Sequence, residues 1–161
     1  MESLVDIFIV THNRADYLPY SIQSVLCQSY REFNLYILDN CSTDNTQELV
    51  RSFQDKRLHY IHHERNLGGL GNINYAYTHA KSKYYVVFHD DDVMKPDFIE
   101  KELQIMELHP EYAMVSCKAD IIDENGDRVR NYKKKEVNID TYKGNEFFCA
   151  YLYQQKFITF P

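Results

Sequence analysis

No long run of basic residues, no apolar stretch able to cross a bilayer and no CxxC pair occurs in this chain of 161 residues. Eighteen Lys and Arg stand against 24 Asp and Glu, a net charge of −6, so neither a nucleic-acid surface nor a polybasic membrane patch is indicated. The nearest basic cluster, Lys133 to Lys135 in NYKKKEV, reads as a solvated loop rather than a phosphate site. The N-terminal MESLVDIFIV carries Glu2 and Asp6, has no basic n-region, and is far too short in its apolar part for a membrane span. Cys27, Cys41, Cys117 and Cys149 are widely separated and lack zinc-ligand spacing; they read as small, packed, reduced thiols of a cytoplasmic chain. The seven histidines show no metal-ligand spacing either. Repeats, low-complexity tracts and linkers are lacking too. What is present, 44% hydrophobic and 26% charged residues, suits one soluble domain over 1–161 with a real core.

Apolar runs alternate with segments of helical period, the pattern of βαβ units around a mostly parallel sheet. Strands are predicted at Val5 to Val10, Phe33 to Leu38, LHYIHH and YYVVFH, with a further one in AMVSCKADIID. Between them, Leu18, Ile22, Val25 and Leu26 share a helical face, and Pro19 fits the first turn. A second helix starts near Asp44 and carries Leu49, Val50 and Phe53; GNINYAYTHAKS and KPDFIEKELQIMELHP supply two more. Asn125-Gly126 predicts an antiparallel turn. Beyond Lys135 a short helix around Glu146 to Tyr153 and a strand-like FITFP are expected.

The polar clusters fall at C-terminal strand ends: THNRAD after the first strand, DNCSTDN after the second, ERNLGGLGN after the third and HDDD after the fourth. In an open α/β sheet that edge is where ligands bind. Asp90, Asp91 and Asp92 would repel one another in a half-buried loop, and a hard cation such as Mg2+ or Mn2+ would relieve them. An acidic loop ahead of a helix is the plainer alternative. In LDNCSTDNT, Ser42, Thr43 and Asp44 serve as turn and cap, whereas Asp39 and Asn40 stand at the strand mouth, able to hydrogen-bond a base or ribose edge. ERNLGGLGN lacks the GxGxxG pattern and reads as a flexible loop, and His12 alone reads as a surface or packing residue.

Taken in order, IFIVTHNRADYLPYSIQSVLCQSYREFNLYILDNCSTDNT, ERNLGGLGNINYAYTHA and YYVVFHDDDVMKPDFIEKELQIMELHP resemble the nucleotide-sugar-binding half of family 2 glycosyltransferases of GT-A fold, over about residues 3 to 120. The resemblance implies a Rossmann-like α/β domain with a short antiparallel hairpin. It implies that Thr11, His12, Asn13, Arg14, Asp39 and Asn40 surround the nucleobase, with His12 where the family often has a base-contacting aromatic. Asn74 matches a recurrent asparagine below the diphosphate. Asp90 to Asp92 match the DXD motif, Asp90 toward the ribose and Asp91 or Asp92 toward Mn2+ or Mg2+. The chain departs from the family in having Val10-Thr11-His12-Asn13 for Pro-Thr-Tyr-Asn and Asp39-Asn40-Cys41-Ser42 for Asp-Asp-Gly-Ser.

The implied reaction is inverting, metal-dependent transfer from a nucleoside-diphosphate sugar, UDP- or dTDP-linked, to a carbohydrate or lipid-linked acceptor, as in bacterial-type cell-surface polysaccharide synthesis. By the same resemblance the acceptor-binding part, the catalytic base and any peripheral membrane contact lie beyond Pro161, so this truncated chain is expected to bind donor without transferring it. Two alternatives stand beside it: a haloacid-dehalogenase-like phosphatase, whose Asp-x-Asp normally follows the first strand, and a non-catalytic nucleotide-binding module.

Overall fold

Among the described residues four parallel strands form the sheet: β1 (Val5–Thr11), β2 (Phe33–Asp39), β3 (Leu58–His62) and β4 (Tyr84–His89). Their order is β3-β2-β1-β4, with Ile7 opposite Leu35 and Val86, and Leu35 opposite Leu58. Four helices, α1 (Leu18–Leu26), α2 (Thr46–Ser52), α3 (Gly68–His79) and α4 (Phe98–Leu108), alternate with them. This computed structural model describes residues 4–117 and 119–129. Two compact units divide the chain, Met1–Gln104 and Ile105–Pro161, and the whole sheet lies in the first. The mostly parallel, Rossmann-like fold read from the sequence is the one found.

β1 is buried at all seven positions because both of its faces are covered, which is why it reads as a nearly continuous apolar run. Alternation sends Val5, Ile7 and Ile9 to one face, where they pack with Leu18, Ile22 and Val25 of α1, Val50 of α2, and Ile99 and Leu103 of α4. Phe8 and Val10 go to the other face, against Ala76 and Ile73 of α3. Each fully buried aliphatic or phenyl side chain contributes roughly 1.5–3 kcal/mol. The exception in β1 is Asp6, a buried carboxylate that accepts hydrogen bonds from Asn34 Nδ2, Lys81 N, Ser82 N and Ser82 Oγ at 2.8–3.0 Å, tying β2 and the α3–β4 turn to the central strand.

β4 is a half-buried edge strand among the described residues. Several expectations shift. Cys27 and Cys117 are exposed, not packed, and Cys27 sits at the C-cap of α1, past its buried face. AMVSCKADIID does not form a strand in its described part. Its apolar residues Met114 and Ile121 stay exposed, and its pairing is limited to the bridge between Ile122 and Arg128; an apolar run becomes a strand only where a ladder partner accepts it. That bridge does make the predicted antiparallel turn, closed by Gly126 N to Asp123 O at 3.0 Å, with Gly126 at a φ of 81°. The expected helix at Glu146 to Tyr153, FITFP, Lys133 to Lys135 and Cys149 lie outside the described residues. Among the described residues no helix is long and apolar enough to cross a membrane.

Candidate functional site

After β3 the chain crosses the sheet through α3 to add β4 on the far side of β1. Connections therefore diverge at the C-terminal ends of β1 and β4, and a crevice opens where an α/β sheet reverses its strand order. An open cleft of about 200 Å3 sits there. Val10, Thr11, His12 and Arg14 line it from β1 and its loop, Asn40 from the end of β2, Gly69, Asn72 and Ile73 from α3, and His89 and Asp90 from β4. Sites for whole small-molecule ligands occupy some 300–1,000 Å3, so this cleft alone is smaller than such a site.

Asp90 is buried, and burial pushes its carboxyl above the usual carboxylate range; Asp91 adds to the push, while Thr11, Arg14 and His89 oppose it. Asp92 is shifted up in the same sense, first by desolvation and then by Asp91, with His89 opposing. Asp91 forms an exposed ion pair with Arg14 at 3.2 Å. The Thr11 hydroxyl is buried without a hydrogen bond of ordinary geometry.

Asp39 and Asn40 stand at the strand mouth as expected, but their side chains are bonded within the protein. Asp39 follows the alternation of Leu35 and Ile37 onto the α1 side of the sheet, away from the cleft lining. One of its oxygens accepts from Ser42 N at 2.8 Å; the other accepts from the Tyr60 hydroxyl and lies 3.2 Å from His62 Nδ1. Burial alone would raise its carboxyl, yet the hydrogen bonds from Ser42, Tyr60 and His62 outweigh it and hold the group below the usual range. Burial and the Asp39 carboxylate push the Tyr60 phenol up. Asn40 Oδ1 accepts from Leu67 N at 2.7 Å and its Nδ2 donates to Asn66 Oδ1 at 2.9 Å. The segment read as flexible is thus tied down at Asn66 and Leu67, and α3 begins at Gly68, whose φ of 73° a side chain would resist. Asn13, at a φ of 53°, accepts from Thr43 N at 2.7 Å and joins the first two loops.

Asn74 is exposed and absent from the cleft lining, whereas Asn72 lines it. Residues two apart on a helix differ by about 200° around its axis. Asn72 and Ala76, four apart, make the buried face, and Asn72 Nδ2 donates to Leu38 O at 2.9 Å.

Sequence reasoning also passed over the polar stripe of α1. Ser21 and Ser24 stand at i and i+3 beside the apolar face, and Gln28 follows just past the C-cap Cys27; that polar spacing was the available signal. Ser21 Oγ reaches the carbonyls of His89 and Asp92 at 2.9 and 2.6 Å, bracketing the three aspartates. Ser24 Oγ accepts from Met94 N; the fully buried Gln28 donates to Lys95 O at 2.7 Å and accepts from Ile99 N at 3.0 Å. The acidic loop is therefore fastened by its backbone, with Asp91 and Asp92 exposed and Asp90 buried at its start.

A family model described as "Glycosyl transferase family 2" matches residues 6–157. The chain belongs to that family. Glycosyltransferase relatives include an uncharacterized one from Methanocaldococcus jannaschii, 31% identical over 92% of this chain and 52% of its own length. TuaG of Bacillus subtilis, whose name assigns it to teichuronic acid biosynthesis, is 33% identical over 64% of this chain and 42% of its own length. The chain thus spans about half the length of these relatives. Among solved structures, Staphylococcus aureus TarS in complex with UDP superposes with a TM-score of 0.62 over 68% of this chain and 33% of that one, at 24% identity, a likeness of fold. Family 2 membership sets aside the phosphatase alternative and extends the resemblance past residue 120.

One family departure now has a physical account. Cys41 replaces the glycine of Asp-Asp-Gly-Ser and adopts a φ of 65°, the left-handed region that costs an L-residue about 1–2 kcal/mol. Relief of that strain, less the greater entropy glycine loses on folding, should make Cys41→Gly about 0.5–1 kcal/mol more stable in urea unfolding; an unchanged midpoint would contradict the strain.

A divalent cation fits the acidic loop on its own chemistry. Two carboxyls there are shifted up by desolvation and by a like-charged neighbour, so a compensating charge is wanted. Among the described residues no three His, Cys, Asp or Glu side chains converge as a closed cage. Mg2+ and Mn2+ sites often need only one or two carboxylates, the rest coming from a ligand's phosphates and water.

Proposed function

We propose that the cleft binds a nucleoside-diphosphate sugar, UDP- or dTDP-linked, and that the chain is the donor-binding part of a transferase that moves the sugar to an acceptor hydroxyl with inversion. The observation that carries this reading is the meeting of Thr11, Asn40, Asn72 and the buried Asp90 in one crevice at the reversal of strand order. Asp91 and Asp92 are the residues that would hold Mn2+ or Mg2+, which when bound neutralises charge on the leaving diphosphate. Asp90 would meet the ribose. Arg14, already paired with Asp91, orients that carboxylate and adds positive charge beside an anionic ligand. Asn13 and Asp39 act by shaping the loops, since their polar atoms are engaged within the protein; Asn74, exposed on α3, has no part in the described cleft. No residue of the cleft is assigned the general base that deprotonates the acceptor.

The whole chain is read as one family 2 domain, with the likeness to TuaG favouring a carbohydrate or lipid-linked acceptor in cell-surface polysaccharide synthesis. A cytoplasmic setting belongs to the same proposal, supported by four cysteines whose spacing suits reduced thiols. A thermal-shift panel of UDP, dTDP, GDP and ADP with Mn2+ tests the donor class. UDP or dTDP should raise the midpoint most, by mass action on the folded state; stabilisation by GDP or ADP alone would refute the pyrimidine assignment.

A further inference from the structure

We propose that Asn13 and Asn66 fix the tautomer of His12, placing its ring proton on Nδ1, so that His12 is a committed hydrogen-bond donor that takes an acceptor oxygen of the ligand, a ring carbonyl or a phosphate oxygen. The orientation of each amide follows from backbone donors, which cannot reverse roles. Thr43 N donates to Asn13 Oδ1 at 2.7 Å, so the other end of that amide is NH2. Gly68 N donates to Asn66 Oδ1 at 2.7 Å, which fixes Asn66 in the same way. Leu67 N donates to Asn40 Oδ1 at 2.7 Å, so Asn40 must present its NH2 to Asn66 Oδ1, in agreement with the second assignment.

Both remaining NH2 groups approach one atom. Asn13 Nδ2 lies 3.4 Å and Asn66 Nδ2 3.3 Å from His12 Nε2, long contacts of the kind made when two donors share one lone pair. An N–H at Nε2 would face two further N–H donors. The proton therefore resides on Nδ1, the tautomer being set by what the opposite nitrogen accepts. Nδ1 has no partner among the described residues, and His12 lines the cleft. Asn66, in the ERNLGGLGN segment, is thereby a positioning residue acting through His12, and Asn40 acts one step further back.

The consequence for ligand choice rests on the proposal that this cleft takes a nucleotide; the tautomer does not. Long-range proton–nitrogen NMR of the histidine rings, with His12 assigned by its loss in His12→Gln, reads the tautomer directly in the unliganded chain. A proton on Nδ1 is expected, and a proton on Nε2 overturns the inference. In Asn66→Asp a carboxylate oxygen replaces the NH2 opposite Nε2 while the acceptor for Gly68 N is kept, so the proton should move to Nε2. An unchanged tautomer in that variant, with the fold verified by the remaining ring signals, also overturns it. UDP affinity in the presence of Mn2+ should fall roughly tenfold with the tautomer switch, the scale of one hydrogen bond; a switched tautomer with unaltered affinity would refute the ligand contact. Failure of the wild-type chain to bind any nucleotide would count against the cleft assignment, while the ring spectrum still decides the tautomer.

Discussion

Asp6→Ala is expected to destabilise the folded chain by about 3–5 kcal/mol, because four donors, Asn34 Nδ2, Lys81 N, Ser82 N and Ser82 Oγ, lose this acceptor at a position only 1% exposed, and losing a buried hydrogen-bond partner costs about 1–3 kcal/mol. Urea unfolding would measure it. Desolvation by burial raises the Asp6 carboxyl, but the hydrogen bonds from Asn34, Lys81 and Ser82 outweigh that and hold it below the usual carboxylate range. The sign of the pH dependence follows. A carboxyl whose folded value is depressed contributes stability that is fully present above its unfolded value and is lost as pH falls through the folded one. The gap between wild type and Asp6→Ala should therefore be constant near neutrality and narrow in the acid range below about 4. A gap that widens on acidification would contradict the assignment of Asp6 as an ionised acceptor.

The second large effect is expected at the acidic loop. Asp92→Ala should weaken Mn2+-dependent binding of a nucleoside diphosphate by at least about 100-fold, since the proposed site has only one or two protein carboxylates and loses one of them. The same variant should fold normally, because Asp92 is exposed and its loop is fastened through backbone atoms: Ser21 grips Asp92 O and His89 O, and Gln28 grips Lys95 O and Ile99 N. Isothermal titration gives the affinity and circular dichroism the fold. Unaltered Mn2+-dependent affinity in Asp92→Ala would move the metal assignment to Asp91 alone.

The positions of the strands were legible because a central parallel strand must be apolar on both faces, and Val5–Thr11 is apolar wherever it is not Asp6 or Thr11. The location of the cleft was legible for a related reason: polar clusters followed each of the four strands, and parallel strands bring such clusters to one edge. Which side chains are free at that edge was not legible. Asp39 and Asn40 have the right chemistry for a base edge, yet the neighbouring Ser42 and, from further along the chain, Tyr60, His62 and Leu67 occupy their polar atoms. Asn74 is exposed on α3, while Asn72, two residues away and so on the opposite side of the helix, is the one that faces inward. The run from Ala113 misled for the opposite reason, since β-propensity without a partner strand leaves Met114 and Ile121 in solvent.

The most direct test is calorimetric titration of the 161-residue chain with UDP, with and without Mn2+. Three clustered aspartates, of which Asp90 and Asp92 are shifted up first by desolvation and then by the charge of Asp91 between them, should repel a diphosphate until a cation intervenes. Saturable binding with Mn2+ and its loss on adding a chelator is the predicted result. Equally tight binding in the absence of any divalent cation, or no binding under either condition, would contradict the account.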